Sequence, residues 1–160
     1  MLTLLGGDPE YSEPSSLDMP EELTRMVAQG FELNGRLVLL RALASSRSSA
    51  VDYLKGKEDE TGIEAFINEV HIEDLVPRDV PFFELARLGC DFGFALGKRL
   101  CDEKFGGAFR VIVSAAPANE PSDNIRDTCV VRFHQKREHQ SWLNEDLESY
   151  GKEAVAVLEF

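Results

Sequence analysis

From Pro81 to Gly107 the polar residues Glu84, Arg87, Asp91, Lys98 and Asp102 recur at helical spacing, while Phe83, Leu85, Ala86, Leu88, Phe92, Ala95, Leu96 and Leu100 fill the remaining circumference. That period predicts a long amphipathic helix, opened by Pro81 and closed by Gly106-Gly107. Inside it Gly89, Gly93 and Gly97 stand four apart. An interior glycine costs about 0.8–1 kcal/mol relative to alanine, so this stripe is expected to be a close-packing surface. The candidates for what lies against it are an apolar helix upstream, a second copy of the chain, or a ligand.

The upstream helix is expected from Glu21 to Leu43, with Pro20 at its start. Glu22, Arg25, Gln29, Glu32 and Arg36 form a polar stripe, and Met26, Gly30, Leu33, Leu37 and Leu40 lie opposite. Asn34-Gly35 is a competing hairpin signal. Leu37-Val38-Leu39-Leu40 lacks the alternation of a half-buried strand, so the helical period is preferred. Ser45–Ser49 interrupts, Ala50–Leu54 forms a single turn, and Lys55–Gly62 reads as a solvated loop.

The period then becomes two. Phe66, Val70 and Ile72 alternate with Glu69, His71 and Glu73, as in a strand with one buried face. Further strands are expected at Phe109–Ser114 and Cys129–Lys136. Trp142, Leu143, Leu147 and Tyr150 predict a short helix over Gln140–Tyr150, with Ser141 as its cap. Ala154–Phe160 is a last strand, apolar enough to be covered on both faces. The fold class is therefore α+β: an antiparallel four-stranded sheet with the β-α-β-β-α-β order of the ferredoxin-like arrangement, preceded by a long N-terminal helix. Its first and third strands should be central neighbours, with two helices on one face. Residues 1–19 read as a flexible N-terminal arm with a short strand at Leu2–Leu5, and 20–160 as a single α+β domain.

Charge narrows the function classes. The chain carries 29 acidic and 17 basic residues, a net charge of −12. Such a field repels phosphate backbones, so nucleic acid is not an expected partner. It suits a basic protein partner, or simply solubility. Three cysteines argue against a disulfide framework and for a reducing, cytoplasmic location. Cys90 and Cys101 are too far apart along the helix to bridge, and Cys129 reads as a small core residue. No apolar run is long enough to span a bilayer, and no secretory signal opens the chain.

Chemistry is sparsely marked. The proposed sheet would align Glu69, His71 and Glu73 beside Arg132, His134 and Lys136. His71, Glu73 and His134 are thus weak catalytic or acid–base candidates, set against a plain ladder of opposite charges between strands. His139 reads as a turn residue, and the run around it as solvated surface. No metal-ligand spacing, phosphate loop or nucleophile elbow is present, so no cofactor is expected. The leading expectation is a small acidic cytoplasmic protein that acts by protein–protein interaction, as an inhibitor or immunity-type binding partner. Glu58, Asp59, Glu60, Glu120 and Asp123 are its candidate contacts; a homodimer seam is the other association considered. The alternative is a small metal-dependent or acid–base enzyme.

Overall fold

The computed structural model describes residues 18–54, 59–118, 126–144 and 146–160. The elements are α1 (Glu21–Gln29), β1 (Phe31–Asn34), β2 (Leu37–Leu40), α2 (Arg41–Ala44), α3 (Ser48–Leu54), α4 (Glu60–Ile67), β3 (Val70–His71), α5 (Phe82–Glu103), β4 (Phe109–Ala116), β5 (Thr128–Gln135) and β6 (Ala154–Glu159), with short 3₁₀ turns at Ile72–Leu75 and Leu147–Ser149. The class is α+β with antiparallel sheets. The predicted strand at Leu2–Leu5 lies outside the described residues.

α5 is the organising element, as its period predicts. Its inner face lies on a four-stranded antiparallel sheet of order β3-β5-β4-β6. The glycine stripe is what lets the backbone approach. A Cβ on Gly89 would stand 2.3 Å from Cys129 Sγ, one on Gly93 would meet Val113 and Val111 at 3.2 and 3.3 Å, and one on Gly97 would fall within 2.0 Å of the Phe160 ring. The stripe therefore packs on β4, β5 and the end of the chain, not on the N-terminal helix.

The single helix expected over Glu21–Leu43 is instead a helix followed by a hairpin. α1 stops at Gly30, whose φ of 68° lies in the left-handed region. β1 and β2 then pair from Phe31↔Leu40 to Asn34↔Leu37. Their two-residue turn begins with Gly35 at φ 67°, the conformation that hairpin geometry asks of glycine. β2 shows no alternation because all four of its residues are buried. Val38 and Leu40 enter the main core beneath α5, while Leu37 and Leu39 join Val51, Ile63 and Ile67 in a second cluster. A strand covered on both faces reads as a continuous apolar run.

Two further expectations are corrected. The strand predicted over Phe66–Glu73 is instead the last two residues of α4, a short turn, β3 and the start of the 3₁₀ turn, and the first turn of α4 is capped by Asp59 accepting from Gly62 N at 2.8 Å. Only Val70–His71 pairs as strand, Val70 with Val131 and His71 with Val130. The helix predicted over Gln140–Tyr150 contains one 3₁₀ turn. There Ser141 Oγ donates to Leu143 O at 2.7 Å and Asp146 N to Asn144 Oδ1 at 3.0 Å, local bonds that compete with a helical ladder. The ferredoxin-like arrangement is thus not what forms. β3 sits at the sheet edge rather than its centre, β6 forms the other edge and is mostly half-exposed rather than covered on both faces, and α5 is the one long helix on the sheet.

Candidate functional site

Because β3 is two residues long, it covers only the middle of the outer edge of β5. The backbone groups on either side of it are met by side chains from α4 and from the segment that follows it. At one end Cys129 N donates to Glu73 Oε2 at 3.0 Å. At the other, Asn68 Nδ2 donates to Phe133 O at 3.4 Å and Gln135 N donates to Glu64 Oε2 at 2.7 Å. Glu64 and Asn68, one turn apart on one face of α4 and its C-cap, also serve the free edge of β2. Val38 N donates to Glu64 Oε1 at 2.7 Å, Leu40 N to Asn68 Oδ1 at 2.8 Å, and Asn68 Nδ2 to Val38 O at 2.9 Å. Two side chains thereby do the work of a missing strand between the sheets.

Glu64 is wholly buried, and its charge is met by Arg137, which donates from Nη1 to Oε2 at 2.8 Å and from Nη2 to Oε1 at 2.9 Å. The fork is held in turn by Arg36 O at 3.0 Å and by Glu60 Oε2 at 3.2 Å from Nε. This bidentate geometry is the strongest form of the carboxylate–guanidinium pair. With Glu64 wholly buried and both of its oxygens engaged, the pair is a structural joint.

The second cluster is open to solvent. His71 lies between two carboxylates, with Nε2 at 2.6 Å from Glu69 Oε1 and Nδ1 at 2.9 Å from Glu73 Oε1. Ionised carboxylates only accept, so this placement favours the protonated ring, in which both nitrogens donate. Partial burial works against that charge, but the bonds to Glu73 and Glu69 outweigh it and raise the His71 pKa. Glu69 is likewise disfavoured by burial yet held below its ordinary value by His71 and Arg132. Arg132 reaches Glu69 Oε2 at 2.8 Å. This pair and the Arg110–Glu159 and Lys136–Glu159 contacts at 2.8 and 2.6 Å have the character of a cross-strand charge ladder.

The three catalytic candidates do not converge. His71 and Glu73 touch, but His71 registers with Val130, so His134 lies four residues along β5, about 13 Å away at strand rise. His134 is buried, donates from Nδ1 to Gln135 O at 3.0 Å and leaves Nε2 without a partner. Burial lowers its pKa, favouring the neutral ring. Among the described residues no group of three histidine, cysteine or acidic side chains could hold a metal. The cleft beside Glu73, Pro77, Leu85 and Arg126 encloses about 30 Å³, an order of magnitude below small-molecule pockets. The Cys90 thiol is pushed up to about 11, mainly by burial and then by Asp91, and burial likewise raises that of Cys129. His139 takes a φ of 62° at the turn where Gln140 N bonds Arg137 O.

The expected partner contacts fare unevenly. Asp59 is spent on capping α4, and Glu60 pairs with Arg137 and Arg36. Glu58, Glu120 and Asp123 lie outside the described residues. What the sequence reading passed over is the outward side of α5. Phe83 and Phe94 are 54% and 48% exposed there, with Arg87, Lys98 and Cys101 also exposed and Cys90 half-buried. At 100° per residue all six fall within about 80° of arc. Lys98 Nζ sits 5.6 Å from the centre of the Phe94 ring, and the Phe160 ring lies 6.0 Å from it.

Among the described residues no helix is long and apolar enough to cross a membrane. A search of curated proteins and one of solved structures each return no match. One family model matches residues 9–160, nearly the whole chain, and the protein belongs to that family, described as the uncharacterized protein PM0498 family.

Proposed function

We propose that this member of the PM0498 family works in the cytoplasm by binding another protein, with the outward stripe of α5 as the contact. The observation that carries the reading is the pair of half-exposed phenylalanines, interleaved with two cations, on the longest helix. Large exposed aromatics aligned on one rigid element are a recurrent mark of protein interfaces. The enzyme reading draws less support, since His71 and Glu73 are already bonded to one another and His134 lies apart from both. A basic partner, which the net charge of −12 suits, would have to be met elsewhere, because this stripe presents Arg87 and Lys98.

Gel filtration of extracts from the native cell tests the proposal. The wild-type chain should elute in an assembly larger than its own 17.9 kDa, and a Phe83→Asp/Phe94→Asp variant should elute at the monomer position. Elution of both in the same assembly, or of both at the monomer position with the purified chain also monomeric at every concentration, would remove the stripe from consideration.

A further inference from the structure

The spacing of the stripe contains a symmetry that its exposure alone does not require. Phe83 and Arg87 are four residues apart, as are Phe94 and Lys98, and both couples run aromatic then cation. About the midpoint between Cys90 and Asp91, position 83 exchanges with 98 and position 87 with 94. Two copies of α5 laid antiparallel about a two-fold axis at that midpoint therefore set each phenylalanine of one copy against a cation of the other. Phe83 meets Lys98, Arg87 meets Phe94, and Cys90 meets Asp91. An isologous contact needs this kind of self-complementary patch, and a cation over an aromatic face is a favourable pairing.

We propose, building on the reading of the stripe as a protein contact, that the partner of α5 is a second copy of this chain, docked antiparallel with the two-fold axis beside Cys90 and Asp91. The parallel alternative is disfavoured by the same residues, since it would oppose Arg87 to Arg87 and Lys98 to Lys98. Antiparallel helices packed by ridges and grooves approach to about 8–10 Å between axes. The inner face of α5 is already sealed onto the sheet through Gly89, Gly93 and Gly97, so the dimer uses the face opposite the core. One helix pair is a small interface, so association is expected in the range of about 1–100 µM rather than as an obligate dimer.

Sedimentation equilibrium on the purified full chain gives the first test. A concentration-dependent shift toward twice the monomer mass is expected, and an Arg87→Glu/Lys98→Glu variant should weaken it about tenfold or more by placing anions against the rings. Both positions are exposed, and an unchanged melting temperature will show that the variant still folds. Orientation is read by cross-linking in a Cys90→Ala/Cys101→Ala background. Cys90 itself is unsuited, being half-buried with a raised pKa. Asp91→Cys lies at the axis and should form a disulfide-linked dimer on mild oxidation. Lys98→Cys residues would be about 22 Å apart along the axis and should not. Equal cross-linking of both variants overturns the antiparallel arrangement. A purified chain that stays monomeric at all concentrations overturns the dimer altogether. If deleting residues 1–17 then produces the dimer, the chain's own N-terminal segment is the occupant. If the chain alone is monomeric but the stripe-dependent assembly persists in extracts, the partner is a different protein, and the reading of the stripe stands without this inference.

Discussion

At one end of the outer edge of β5, Glu64 receives Arg137 and Gln135 N where no solvent reaches; at the other, Glu73 receives Cys129 N beside a half-exposed His71. Both sites finish the same strand, and both use a carboxylate from the segment that follows α3. They differ in the cation. A guanidinium does not titrate in the range where proteins live, whereas an imidazole does. The first joint is therefore permanent and the second conditional on pH. Strand completion by side chains is evidently compatible with either chemistry, and burial decides which is tolerable: an uncompensated charge is far more costly at the closed end.

The difference is most sharply broken at Glu64. Glu64→Ala would take the bidentate acceptor from Arg137, leaving it Glu60 and Arg36 O, and would leave Val38 N and Gln135 N without acceptors; loss of one partner of a buried pair costs about 3–5 kcal/mol. Urea titration should show either a midpoint shift of that size or failure to fold. Asn68→Ala comes next: it leaves Leu40 N and Val38 O unpaired, a penalty of about 1–3 kcal/mol that the same titration reads. Glu73→Ala should cost less, about 1 kcal/mol, because solvent can reach His71 and replace part of what is lost.

The smallest effect carries the clearest sign. The His71 pKa is raised in the folded protein, so its contribution to stability is whole below about 6.5, the value of the unfolded chain, and is lost as pH rises through the higher folded value. The groups facing it are Glu69 and Glu73, with Arg132 behind Glu69. The pKa of His134 is lowered, so its contribution is whole above about 6.5 and is lost as pH falls through the depressed folded value. Stability measured against pH should therefore lose part of its alkaline decline in His71→Gln and part of its acid decline in His134→Gln. If His71→Gln left the alkaline side unchanged, the pinch between Glu69 and Glu73 would not be holding a proton.

Much of the scaffold was legible in the chain, and the failures have identifiable causes. The period of α5 survives because one face is sealed and the other is wet. β4 and β5 were readable because each has one apolar face, Phe109, Val111 and Val113 on one, Cys129, Val131 and Phe133 on the other. The stretch Glu21–Leu43 misled because its polar spacing of three and four imitates a helix, and because β2 is buried on both sides and so loses the alternation that marks a strand. The hairpin signal at Asn34-Gly35 was present and was outweighed. α4 was hidden by a charged lead-in, although Asp59 three residues before Gly62 is a recognisable capping arrangement. The Glu64–Arg137 joint had no signal at all: its members are 73 residues apart, and no local spacing rule connects them. The outward pattern of Phe83, Arg87, Phe94 and Lys98 was visible, but in the sequence it could not be told from the rest of an amphipathic helix until the sheet had claimed the other side.

The double burial of β2 has a consequence for how the molecule comes apart. Four consecutive residues act as a party wall, with Val38 and Leu40 furnishing one compartment and Leu37 and Leu39 the other. Neither compartment can be emptied while the wall stands, and removing the wall opens both. Heating should accordingly produce a single calorimetric peak rather than two, despite the presence of two separate apolar interiors.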